Sequence, residues 1–60
     1  MKRTDNGVIG NDRNGVLFAI YFEQVENIEK TPYGAGIRLS TGELIPVTMG
    51  YERAKAFFHR

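Results

Sequence analysis

The chain has no cysteine, no tryptophan, a single histidine and only two prolines among its 60 residues. Without cysteine there is no disulfide framework, and one histidine with no thiol leaves no zinc-type ligand set. Neither of the usual staples of a small domain is therefore available. A chain this short buries only about 60% of the surface its unfolded form exposes, so the fold rests on a small apolar core, on self-association, or on both.

A long hydrophobic run is missing as well. The longest, residues 16–22 (Val-Leu-Phe-Ala-Ile-Tyr-Phe), is far short of the roughly 20 residues that cross a bilayer as a helix, and no membrane insertion is expected. Lys2 and Arg3 are followed by polar residues and glycine rather than an apolar stretch, so the pattern of a secretory signal is not met. The expected location is cytoplasmic, which the lack of cysteine suits. Charge of one sign is not in excess either. The net charge is +1 with 42% apolar and 25% charged residues, a globular composition with no overall pull toward nucleic acid or acidic membrane. Residues 16–47 are net acidic and residues 48–60 mildly basic.

What is present reads mainly as strand. Residues 1–14 are rich in Gly, Asn and Asp, with Val8 and Ile9 as the apolar anchors, and form either a short edge strand or a loose arm. Asn14-Gly15 is a hairpin turn dipeptide because both residues tolerate positive φ. The run 16–22 that follows is β-branched and aromatic and reads as the central strand. Alternation puts Leu17, Ala19 and Tyr21 on one face and Val16, Phe18, Ile20 and Phe22 on the other. Both faces call for cover, and one helix can supply it to only one of them.

A turn at Glu23-Gln24 precedes a strand around 27–30, and Thr31-Pro32-Tyr33-Gly34 breaks the chain again. The segments 35–39 and 43–47 form a second hairpin. A three-residue loop with Gly42 left-handed aligns Ile37 with Ile45 and Ala35 with Val47, which puts the apolar set on one face; a two-residue loop splits it. Pro46, which lacks an N–H, requires a sheet edge or an outward-facing position. Beyond Thr48, a plausible N-cap, the period changes: Val47, Tyr51, Ala54 and Phe58 recur as the stripe of a helix lying on a sheet, with Phe57 flanking it. The expected fold is α+β, one domain spanning residues 1–60, a small antiparallel sheet of three to five strands with one C-terminal helix packed on one face.

Catalytic chemistry finds few carriers. His59 sits next to the last residue, and Ser40 and Thr41 already have a turn to make, so no nucleophile, base and orienting group come together. Gly10 and Gly15 have the spacing of a phosphate-binding loop, but Val16-Leu17 stands where Lys-Ser/Thr must be. An EF-hand reading of the same stretch puts Tyr21 where a bidentate Glu is required. Glu23, Glu26 and Glu29 recur every third residue and read as a solvated edge. No enzyme activity, cofactor, metal or small-molecule substrate is expected.

Two binding readings remain. In the first, a protein partner or a second copy of the chain meets Leu17, Phe18, Ile20, Tyr21, Phe22 and Phe57, the apolar surplus of the central strand and helix. In the second, Arg38, Arg53, Lys55 and Arg60 contact the phosphates of a nucleic acid.

At Asn14-Gly15, residues 25–32 (Val-Glu-Asn-Ile-Glu-Lys-Thr-Pro), residues 37–42 (Ile-Arg-Leu-Ser-Thr-Gly) and Val47, the chain resembles the FlbD-type (SwrD-like) small flagellar and swarming-motility proteins. The likeness covers about residues 14–58. It implies the same strand, hairpin and final helix and a role in motility through a protein partner. The Ile-Glu strand, Gly hairpin and short helix also resemble part of a LytTR-type DNA-binding domain, which implies the second reading. A small phage or plasmid protein acting on a host target fits the same outline.

Overall fold

The computed structural model describes residues 1–59. Among the described residues there are two short antiparallel sheets and one α-helix, so the α+β class holds. In place of a single sheet of three to five strands there are two of three strands each.

The first sheet contains β1 (Lys2–Arg3), β2 (Gly7–Asn11) and β3 (Leu17–Tyr21) in that spatial order. Val8 pairs with Ile20 and Ile9 with Ala19 across the turn at Asn14-Gly15. The turn is fixed by the Asp12 carboxylate, which accepts the N–H groups of Asn14 and Val16 at 2.8 and 2.9 Å. The opening segment is neither a loose arm nor a single edge strand: its Val8-Ile9 part is the middle strand of the sheet, and Lys2 and Arg3 pair with Ile9 and Val8 as a short edge strand. That pairing moves β2 to the centre of the sheet and β3 to its margin, a correction to the central place expected for the 16–22 run.

A 3-10 turn, Phe22–Gln24, carries the chain into the second sheet, where β4 (Val25–Thr31), β5 (Gly34–Leu39) and β6 (Leu44–Val47) lie in sequence order. The β5–β6 register pairs Ile37 with Ile45 and Ala35 with Val47, as the apolar spacing requires, and Gly42 has φ 95°. β6 is an edge strand, which accommodates Pro46. The Pro46 carbonyl, pointing outward, accepts the Arg13 N–H at 2.8 Å and ties the tip of the first hairpin to the second sheet.

The helix α1 (Tyr51–Phe58) packs against β4, β5 and β2. Its N-cap is Gly50, with no side-chain cap, instead of Thr48. The turn before it is pressed onto Gly34: the carbonyls of Val47, Thr48 and Met49 all converge there. Packing, not local capping, decides where the helix starts. At its other end the Arg3 guanidinium lies 3.3 Å from the Phe57 carbonyl and 4.7 Å over the Phe22 ring, so a residue from β1 satisfies the helix C-terminus.

Between the layers lies a core of Ile20, Ala35, Ile37, Leu39, Val47 and Ala54, bordered by Phe18, Val25, Ile28, Ile45, Met49 and Phe58. Val8 is buried too. Each larger aliphatic side chain here contributes about 1.5–3 kcal/mol, and there are few of them.

Candidate functional site

The first hairpin has one covered face and one open face, and strand alternation sorts its residues between them. Phe18 and Ile20 turn toward the second sheet, with Ile20 buried and Phe18 half-buried against the core. Phe22, in the 3-10 turn, stacks edge-on against Phe58 with ring centroids 6.3 Å apart. These three, taken from the sequence as surface candidates, serve the interior. Leu17 and Tyr21 face outward at 68% and 58% exposure, with Ala19 exposed between them. Ile9, directly opposite Ala19, is 44% exposed and extends the patch onto β2. Its place in the patch is settled by the pairing with β3, which a two-residue apolar anchor does not announce.

The edge of β3 is open along with its face. Asp12 N–H bonds to Val16 C=O at 2.9 Å and Phe22 N–H to Asn6 C=O at 2.8 Å, so the pairs 12/16 and 6/22 are hydrogen-bonded ones. Alternation along an antiparallel ladder then makes Phe18 and Ile20 the residues bonded to β2. It turns the N–H and C=O groups of Leu17, Ala19 and Tyr21 away from it. No strand lies on that side within the sheet. The Tyr21 N–H is taken by Gln24 Oε1 at 2.8 Å.

Beside Tyr21, a hollow of about 240 Å³ is lined by Thr4, Gly7, Ile9 and Ala19. Gly7 is there because the strands close up: a Cβ at this position runs into the backbone carbonyl of Ile20. The arrangement offers an apolar strip along β3 and Ile9, bordered by Lys2 on β1, with a shallow recess and a row of backbone groups, which suits an extended segment of protein chain.

The basic residues are dispersed. Arg38 lies on the outer face of the second sheet, where its guanidinium holds the Glu29 carboxylate in two bonds, at 2.8 and 3.0 Å, and donates to the Gly42 carbonyl at 2.8 Å. The paired guanidinium keeps the Glu29 carboxyl below its usual range and raises Arg38 above its own, so both stay charged. Arg38 is thus committed to the hairpin that carries it. Arg53 and Lys55 stand on either flank of α1. Arg53 borders Arg3, Ala56 and Phe57, and the Lys55 and Lys30 ammonium groups each lie 5.2 Å from the Tyr51 ring centroid. Phe57, half-buried, belongs to this helix flank and not to the β3 patch. Arg60 lies outside the described residues.

Glu23 and Glu26 are exposed while Glu29 is held by Arg38, so the three carboxylates do not converge. Among the described residues no three His, Cys, Asp or Glu side chains gather into a metal-binding group, and no helix is long and apolar enough to cross a membrane. Comparison with protein-family models, curated proteins and solved structures finds no match to this chain.

Proposed function

We propose that this is a small, non-enzymatic binding module that acts on a partner protein through the outer face and free edge of β3. The observation that carries this reading is the coincidence of two kinds of unsatisfied surface on one strand. Leu17, Ala19 and Tyr21 present apolar side chains to solvent and, at the same positions, backbone groups with no partner strand. A partner that adds a strand there gains ladder hydrogen bonds and apolar burial together. The motif likeness to the small motility proteins is a reason to seek that partner among motility proteins.

The nucleic-acid reading keeps Arg53 and Lys55, with Lys30 and Arg3 as neighbours, and loses Arg38 to Glu29. One capture experiment separates the two. A partner retained from the source lysate by the wild-type chain is expected to be lost, at least roughly tenfold, by Leu17→Lys combined with Tyr21→Lys. It is expected to be retained by Arg53→Ala combined with Lys55→Ala. The opposite pattern, with capture sensitive to nuclease, overturns the protein-binding reading in favour of nucleic acid.

A further inference from the structure

We infer that β1 is a latch: Arg3 couples the docking of this short strand to the last turn of α1, so that the outer edge of β2 and the end of the helix open together. The inference is independent of what binds β3 and goes beyond the function proposed above.

The ladder that holds β1 is short. The Thr4 N–H bonds to the Gly7 carbonyl at 2.8 Å, and the Thr4 hydroxyl closes the same turn against the Gly7 backbone at 3.1 Å. Alternation then makes Lys2 and Ile9 the next bonded pair, with Arg3 and Val8 opposite each other between the bonds. Lys2 turns its side chain outward beside exposed Ile9, while Arg3 turns inward with buried Val8. Met1 adds a packing contact over Gly10, where a Cβ comes within 3.0 Å of the Met1 side chain. Chain ends held by so little open readily unless another contact ties them down.

Arg3 is that tie. Its guanidinium lies 3.3 Å from the Phe57 carbonyl, 3.5 Å from that of Ala56 and 4.7 Å over the Phe22 ring. The two carbonyls belong to the final turn of α1, where a helix leaves its carbonyls without internal partners. The helix has little of its own to stop it fraying. It is eight residues long with no side-chain N-cap, and His59 is extended at its C-cap, without the left-handed residue that commonly closes a helix. Phe22 in turn meets Phe58 edge-on, so the ring beneath Arg3 is also the ring that seats the last turn.

One side chain therefore serves two weak elements. When Arg3 leaves, the helix loses a cation at its negative pole and the strand loses its inward anchor in the same step. The open form bares the Ile9 backbone and the hollow of about 290 Å³ that Arg3 lines with Arg53, Ala56 and Phe57. The first sheet thereby gains a second edge, which the closed form covers.

Amide hydrogen exchange reads both elements at once. The Ile9 amide reports on β1, and the Phe58 amide, bonded one turn back along the helix, reports on the end of α1. Arg3→Ala is expected to lower protection at both by roughly fivefold or more, the combined effect of losing a helix-end cation and an exposed cation–π contact. Arg3→Lys keeps the charge but not the guanidinium fork, and is expected to restore part of the protection at both sites. Lys2→Ala, outward on the same strand, is expected to leave Phe58 unchanged. Ala56→Gly runs the coupling in reverse. It weakens the last turn through backbone entropy, and Ile9 protection is expected to fall by roughly twofold or more. An Arg3→Ala loss confined to Ile9 or to Phe58, or an Ile9 amide indifferent to Ala56→Gly, overturns the coupling. Wild-type Ile9 or Phe58 amides exchanging at the unstructured rate overturn the docked latch itself. Protection at the core residue Ile37 is expected to hold throughout; a fall there as large as at Ile9 means global unfolding in place of latch opening, and overturns it too.

Discussion

Replacing Ile37 by alanine is expected to lower the urea midpoint of unfolding by roughly 2 M or more. The side chain is 0% exposed and sits where β5 meets the helix and the first sheet. Truncating a buried isoleucine to alanine costs about 2–5 kcal/mol, through lost transfer energy and the cavity left behind. A chain of this length has about 3–9 kcal/mol in total. Small proteins lose about 1 kcal/mol per molar urea, which gives the shift stated. With no disulfide to hold the remainder, a chain at the lower end of that range is left largely unfolded even without denaturant. Leu17→Ala, on the open face, is the control and is expected to move stability by no more than about 0.5 kcal/mol. Urea titrations followed by far-UV circular dichroism read both; equal midpoints for the two variants contradict the core as described.

Gly34→Ala is expected to lower the melting temperature by roughly 10 °C or more, for two reasons that act together. The residue has φ 143°, a backbone conformation that costs a residue with a Cβ about 1–3 kcal/mol. The added Cβ also comes within 2.8–2.9 Å of the carbonyl oxygens of Val47, Thr48 and Met49. These are backbone atoms at the end of β6 and the approach to α1, and they cannot step aside without moving the helix. Gly15→Ala separates the two causes. Gly15 also has positive φ, 83°, but a Cβ there meets nothing within 4 Å. It is expected to cost only the backbone share, about 1 kcal/mol. Calorimetric melting of both variants gives the comparison, and a Gly15→Ala loss as large as that of Gly34→Ala removes the close approach as a cause.

Much of this architecture is legible in the residues themselves, where local chemistry and periodicity agree. The β5–β6 hairpin follows from Gly42 and the alignment of Ile37 with Ile45, and the helix from the stripe Tyr51, Ala54, Phe58. Legibility stops where long-range contacts decide. The Lys2–Arg3 strand has no sequence signal of its own and exists because Val8 and Ile9 need a second neighbour. Its presence turns β3 from centre to edge. The 16–22 run is apolar on both sides, so alternation divides its residues correctly but does not say which set faces inward. The second sheet says that, by receiving Phe18 and Ile20 and leaving Leu17 and Tyr21 outside. Arg38 reads as a free cation in one dimension; only the β4–β5 pairing brings Glu29 within 2.8 Å of it.

Binding through the outward backbone groups of β3 is tested most directly by amide hydrogen exchange at single-residue resolution. In dilute protein the Leu17 and Ala19 amides are expected to exchange close to the unstructured rate. Their neighbours Phe18 and Ile20, bonded to β2, are expected to be strongly protected. When the captured partner is added, protection at Leu17 and Ala19 is expected to rise by roughly tenfold or more. Leu17 and Ala19 amides already protected in dilute protein, or unchanged while a complex forms elsewhere, contradict the account.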